Sequence, residues 1–285
     1  MIDLHSHTDH SDGTFTPEEL IAEAGRVGLK ALAITDHDTF SGHDAAVPYA
    51  RAAGLELICG VELSTRYQGM SVHLLGYFPV TPPSQEMRSW LNYILEMRRD
   101  RNIRLIAKLQ SLGLDITLAE VEKLGRTLTA RPHFAQILVK KGYATDLQNA
   151  FDQYLDESAK GFVQRREAPM EEALGYILGS GGVPSLAHPI RVAHNNWEKL
   201  AVYVEDLAGM GMRAIEVFHS DHSPENVSYY ASLAERFGLG MTGGSDFHGA
   251  NKPAISLSTG KNNNLYVPDE LAESLRELAV REKVS

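Results

Sequence analysis

Histidines and carboxylates gather at the ends of apolar segments along this chain. His5 and His7 follow Ile2–Leu4, and Asp12 lies in the next loop. His37 follows Ala31–Thr35, Glu62 closes Leu55–Val61, and His73 lies within Ser71–Phe78. His188 follows Val183–Ala187, and Asp246 and His248 follow Leu239–Thr242. Imidazole and carboxylate together are the ligand set of zinc, manganese or iron, and a carboxylate can bridge two ions. Residues two apart on an extended strand point to one face, so His5 and His7 can meet the same ion, as can Asp246 and His248. One His-x-His pair says little. A set of nine such residues recurring at one structural position says more, and it is too large for a single ion. Two or three ions are expected. Single members outside the set carry blander readings: Asp3 and Asp36 as structural, Asp38 as a loop or cap residue, and His10, His43, His219 and His222 as supporting or surface groups.

The apolar segments that must position these groups alternate with helical stretches. Thr16 can cap a helix with Pro17 at its first position and Glu19 completing a capping box. Leu20, Ile21, Ala24 and Val27 then recur at helical spacing. Continuous apolar strands alternating with helices predict an α/β fold with a parallel sheet. In a barrel of that kind the site assembles at the C-terminal strand ends, where these residues sit. From about Ser84 the pattern changes. Glu86–Leu112 reads as one long helix, followed by shorter ones near Leu118–Leu124, Pro132–Lys141 and Asp146–Leu155, with no strand before Phe162. The expected organisation is a barrel formed by residues 1–99 and 167–285, interrupted by a helical insertion at 100–166.

Composition bounds the function classes. The chain has 285 residues, 43% hydrophobic and 22% charged, as in an ordered globular protein. No apolar run approaches the ~18 residues of a membrane span. The first residues lack a basic segment followed by an apolar one, which points to the cytoplasm. Cys59 is the only cysteine, so an internal disulfide and a thiolate zinc cage are both excluded. A net charge of −10 argues against coating duplex DNA, yet ions and local arginines can still reverse the potential within one cleft.

Several stretches together resemble a known family. Asp3-Leu4-His5-Ser6-His7 with Ser11-Asp12-Gly13, Ile34-Thr35-Asp36-His37-Asp38-Thr39, Gly60-Val61-Glu62, His73-Leu74-Leu75-Gly76-Tyr77, Ala187-His188-Pro189 and Gly244-Ser245-Asp246-Phe247-His248-Gly249 are similar to the successive motifs of the PHP (polymerase and histidinol phosphatase) superfamily. The insertion carrying Ala130-Arg131-Pro132-His133 resembles one branch. That branch comprises bacterial nucleoside 3′,5′-bisphosphate phosphatases, also described as 5′-to-3′ exoribonucleases of the RNase AM type. The resemblance implies a distorted seven-stranded (β/α) barrel with a helical cap and two or three divalent ions. It assigns His5, His7, Glu62 and Asp246 to one ion. Glu62 would bridge to a second, held also by His73 and His188. Asp12, His37 and His248 would hold a third. Many members place histidine where this chain has Asp12, and the harder oxygen ligand favours manganese or magnesium there.

The resemblance further implies phosphoester hydrolysis. The favoured activity removes the 3′-phosphate of nucleoside 3′,5′-bisphosphates, with trimming of short single-stranded RNA from its 5′ end alongside. Asp246 is the candidate proton acceptor. His194, then His222, is the candidate acid at the leaving oxygen. On the cap, Arg99 and Arg131 would grip phosphate as planar forks, assisted by Asn102 and His133, whereas Arg98, Arg101 and Arg104 read as a solvated helix face. Competing readings are hydrolysis of histidinol phosphate or another small phosphomonoester, and a non-catalytic metal-binding module. Neither a membrane nor duplex DNA is an expected partner.

Overall fold

The computed structural model describes residues 1–124, 129–164, 167–193 and 196–280. Its strands are β1 (Ile2–Asp3), β2 (Ala31–Ile34), β3 (Glu56–Tyr67), β4 (Met70–Phe78), β5 (Ala168–Pro169), β6 (Val183–Leu186), β7 (Ala214–His219), β8 (Gly240–Gly244), β9 (Ile255–Ser256) and β10 (Gly260–Lys261). Seven of them form a nearly closed sheet in the order β1-β2-β3-β4-β6-β7-β8, with β5 paired to the side of β3. The segments after β1 and β8 draw the two ends together. The Leu4 N–H donates to Gly243 O at 3.0 Å, and the Asp246 N–H donates to His5 O at 2.9 Å. Gly244 permits this approach, because a Cβ there would collide with the backbone of His5. The result is the barrel read from the strand pattern, with helices on its outside.

The sheet departs from the all-parallel expectation at one strand. β4 pairs antiparallel with both β3 and β6. Gly69, at φ +81°, turns the chain straight back after β3, too short a link for a parallel crossover. This reversal explains why His73 lies in the first half of its strand. In a reversed strand, the N-terminal half faces the end at which the parallel strands finish.

The helices follow from local chemistry. Thr16 Oγ1 accepts from the Glu19 N–H at 3.2 Å, and the Glu19 carboxylate accepts from the Thr16 N–H at 2.8 Å. That helix, Pro17–Arg26, buries Leu20, Ile21 and Ala24. The long helix, Gln85–Ser111, crosses two cores. Its first turns bury Met87, Trp90, Leu91 and Ile94 against barrel residues such as Leu174 and Ile177. Its last turns bury Leu105, Ile106 and Leu109 against Phe134, Leu138 and Leu155 of the insertion. Between these cores Arg98, Arg101 and Asn102 are buried at 4%, 2% and 2% exposure. Arg98 and Arg101 therefore do not form the solvated face read from their charge, whereas Arg104 is exposed. Among the described residues no strand lies between Phe78 and Ala168, and no helix is long and apolar enough to cross a membrane.

Candidate functional site

All nine predicted ligands meet at one mouth of the barrel. Four donor atoms form one compact group: His5 Nε2, His7 Nε2, Glu62 Oε2 and Asp246 Oδ1. Glu62 Oε2 lies 3.3 Å from His5 and 3.2 Å from His7. Asp246 Oδ1 lies 3.6 and 3.4 Å from the same two nitrogens. Most of these spacings are long for hydrogen bonds, roughly 2.7–3.2 Å. They match the edges of a tetrahedron about an ion, since donors about 2.1 Å from zinc stand about 3.4 Å apart. His5 Nε2 and His7 Nε2 are buried without a hydrogen-bond partner. Orphaned nitrogens facing ionised carboxylates at these distances fit a divalent cation.

Glu62 links this group to its neighbours. Its Oε1 meets His73 Nδ1 at 2.7 Å and His188 Nε2 at 2.9 Å, while its Oε2 also stands 3.3 Å from His37 Nδ1. One carboxylate thus joins five imidazoles. Beside it, Asp12 lies 3.2 Å from His248 Nε2 and 3.7 Å from His37 Nε2, with His7 Nδ1 also at 3.7 Å. His7, Asp12, His37 and His248 form a second compact donor set.

Burial penalises every charge in the mouth, and the partners decide which ones persist. For Glu62, burial is outweighed by His37, His73 and His5, which hold its carboxyl well below the usual range. Asp12 is held low in the same way by His248 and His37. Burial lowers His37 and His188 to about 3, leaving neutral imidazoles suited to ligation. His7 also meets burial, but the nearby carboxylates of Asp246 and Glu62 raise it to about 9. Backbone strain gathers here too. Asp38, His188 and Asp246 adopt φ of +52°, +26° and +57°, a region that costs non-glycine residues on the order of 1–3 kcal/mol each.

Buried carboxylates behind the mouth set the framework. Asp36 accepts from the Thr8 N–H at 2.8 Å, the Thr8 hydroxyl at 2.6 Å and the Ser11 hydroxyl at 2.5 Å, fixing the loop that carries Asp12. Asp3 accepts from the N–H groups of His5, Ser245 and Ser258 at 3.1, 2.9 and 2.8 Å. Both carboxylates thus hold backbone and hydroxyl groups behind the mouth, in line with their reading as structural. Asp38 pairs with Arg98 and accepts from the Ser64 N–H at 3.0 Å. His10 bonds Ser41, and His43 lies beside Asp44.

Residues of the helical insertion share a cavity with part of this mouth. A cavity of about 200 Å³ is lined by Asp12, His37 and His73 on the barrel side, with Arg66, Arg98, Arg101 and Arg131 around it. Arg131 also lies over the Phe162 ring, 5.1 Å from its centroid. The predicted Arg99–Arg131 pair is not brought together. Arg99 is 63% exposed at its side chain, pairs with Glu122 at 3.1 Å, and lines a separate pocket with Asn102 and Thr129. Asn102 donates to Thr129 O at 2.8 Å. His133 is buried, and its Nδ1 accepts from the Ala130 N–H at 3.0 Å, so this ring closes the start of its own helix. His194 lies outside the described residues. His222 does not suit the acid role. Burial lowers it to about 4, so it is neutral near pH 7, and its Nδ1 bonds Val217 O at 2.8 Å.

Three residues escaped the sequence reading. Glu216, on β7, lies 2.8 Å from His5 Nδ1 through one oxygen and accepts from the His188 N–H at 2.6 Å through the other. Arg191 and Lys252 donate to Asp246 Oδ2 at 3.2 and 2.6 Å. Glu216 was legible as an acid inside an apolar strand; the two cations carried no comparable signal.

A nearly closed α/β barrel whose mouth collects nine histidine and acidic side chains defines a protein with groups that could hold metal ions at one end of its sheet. The PHP domain model matches residues 3–166, more than half of the chain. The chain belongs to the PHP family. It is 33% identical over 251 residues to a 3′,5′-nucleoside bisphosphate phosphatase of Chromobacterium violaceum, covering 87% of each chain. It is also 33% identical over 266 residues to a 5′-3′ exoribonuclease of Haemophilus influenzae, covering 92% of this chain and 94% of the relative. A structure from Bifidobacterium adolescentis, described as a metal-dependent phosphoesterase, superposes with a TM-score of 0.85 at 28% identity, over 98% of this chain and 96% of its own. With phosphatases and phosphodiesterases for relatives, this PHP protein is a hydrolase.

Proposed function

We propose that this hydrolase removes the 3′-phosphate of nucleoside 3′,5′-bisphosphates, leaving 5′-nucleotides, and that it also takes short single-stranded RNA from its 5′ end. The observation that carries this reading is the cavity lined by three candidate ligands, Asp12, His37 and His73, and by four arginines, with Glu157 and Glu167 also at its wall. A substrate with two phosphates needs two anion sites, and the presence of Arg131 in the same cavity as candidate ligands supports this reading. The barrel parts 1–99 and 167–285 supply the ligands, and the cap at 100–166 supplies Arg101 and Arg131.

In this reading His5, His7, Glu62 and Asp246 hold one divalent ion, Glu62 with His73 and His188 a second, and Asp12, His37 and His248 a third. Manganese is the leading choice, with zinc, iron and magnesium as alternatives. Bound ions of this kind generate a nucleophile from water and neutralise charge on the phosphoryl oxygens. The protein's own groups do the rest. Arg131 receives the phosphate that is not cleaved, through the planar fork that suits an oxyanion. Arg98, fixed by Asp38 and Ser64, lends positive potential to the same space. Asp246 serves as a ligand and is held as the carboxylate. Burial raises its carboxyl, but Lys252, His248 and His5 outweigh burial and hold it well below the usual range.

The test is phosphate release by the manganese-loaded protein. Nucleoside 3′,5′-bisphosphates are expected to exceed 5′-monophosphates and histidinol phosphate in kcat/KM by at least about tenfold, matching one charge-assisted contact. A preference for histidinol phosphate, or equal rates with all three, would overturn the assignment. Short 5′-phosphorylated RNA in the same assay measures the exonuclease component.

A further inference from the structure

Asp246 is 2% exposed, yet two cations from different loops converge on its Oδ2. Arg191 comes from the short helix Ile190–Ala193, just after His188, and reaches it at 3.2 Å. Lys252 follows the turn Gly249–Asn251, just after His248, and reaches it at 2.6 Å. Arg191 also donates to Asp221 at 2.8 Å, and the other Asp221 oxygen pairs with Lys261. Three cations therefore meet two carboxylates along this rim, and one of those carboxylates already faces His5 and His7 with its other oxygen. Neutralising a buried carboxylate needs one cation. Counted at these contacts alone, the cations outnumber the carboxylates by one, and two of the cations face solvent. Arg191 is 43% and Lys252 32% exposed at the side chain, so both stand between Asp246 and the solution.

We propose that Arg191 and Lys252 form a phosphate-gripping wall beside Asp246, contacting the phosphoryl group that is hydrolysed. The idea rests on the phosphatase reading above and adds a site to it: Arg131 anchors the distal phosphate, and this pair anchors the reacting one. Each side chain exchanges part of its contact with Asp246 or Asp221 for a phosphoryl oxygen. Such an exchange costs little, because the new acceptor is also an anion and Asp246 keeps its other partners.

The experiment uses the full-length, manganese-loaded protein with its metal content measured. Wild type, Lys252→Met, Arg191→Met, Lys252→Arg and Arg131→Ala are compared for binding of inorganic phosphate by calorimetry and for bisphosphate hydrolysis. Loss of either cation should weaken phosphate binding and kcat/KM together, roughly 10- to 100-fold, with metal content unchanged. Lys252→Arg should recover most of the loss. Unchanged phosphate affinity in both methionine variants would overturn the proposal. So would a loss that disappears when added manganese restores the metal content, because the cations would then only orient Asp246. Weakening by Arg131→Ala alone would place the phosphate on the cap and also reject the wall. If wild type binds phosphate through Lys252 and Arg191 but hydrolyses no bisphosphate, the substrate assignment fails and the wall stands.

Discussion

The Nδ1 atom of His5 lies 2.8 Å from Glu216 Oε1, with both side chains fully buried. This contact fixes the His5 ring so that Nε2 points at Glu62 and Asp246. The second Glu216 oxygen holds the backbone N–H of His188, so one carboxylate aligns two strand ends that carry predicted ligands. Burial raises the Glu216 carboxyl, but His5 and His219 outweigh it and hold it near 2, keeping it an acceptor at all working pH values.

Replacing Glu216 with Gln removes the charge and keeps the shape. Outer carboxylates behind ligating histidines typically contribute 10- to 100-fold in metal affinity or activity. Glu216→Gln should therefore lower metal affinity by about that factor while the melting of the metal-free protein changes little. A variant that titrates metal as wild type does would show that His5 needs no such support.

Metal removal tests the centre as a whole. Exhaustive chelation should abolish phosphoesterase activity, and manganese or zinc should restore it. Because Glu62 contacts imidazoles through both oxygens, Glu62→Gln should be the most damaging single ligand change, with activity down by about 100-fold or more. Elemental analysis should show the loss of more than one ion per chain. Full activity in a sample verified to be metal-free would refute the assignment.

Arg131 and Arg99 should now behave differently. Arg131→Ala is expected to lower kcat/KM for a bisphosphate by roughly 10- to 150-fold, the range of a charge-assisted contact. A monophosphate, lacking the distal group, should lose far less. Arg99→Ala removes an exposed pair with Glu122 and should change either rate by less than about twofold. Parallel losses from the two variants would return Arg99 to the substrate.

The cap has its own core, so it can loosen without the barrel. Phe134 is fully buried among Leu105, Leu109 and Leu138. Phe134→Ala should cost about 3–5 kcal/mol, expressed in the insertion. Limited proteolysis should then cut within 100–164 while the barrel fragments remain associated and keep their metal. Simultaneous loss of the barrel would show that the two cores unfold as one unit.

The amino-acid sequence by itself picked out the candidate ligand residues, the strand-and-helix alternation and the helical run after Phe78. All three are local codes. Apolar runs mark buried strands, period-two spacing sets which side chains share a face, and Thr16 with Glu19 writes a helix start into four residues. A chemistry-bearing residue at the end of such a run is visible without knowing what it will touch.

Tertiary structure decided everything that depends on pairing at long range. The direction of β4 follows from its hydrogen bonds to β3 and β6, and that direction brings His73 to the mouth. The burial of Arg98 and Arg101 follows from a helix that passes from one core to a second, so its buried face cannot be read from a single apolar stripe. The same crossing leaves Arg99 on the outside. Glu216 reaches His5 across 211 positions and Arg191 reaches Asp246 across 55. No local pattern encodes such contacts, because they exist only once the sheet has closed and brought the ends of its strands to a common mouth.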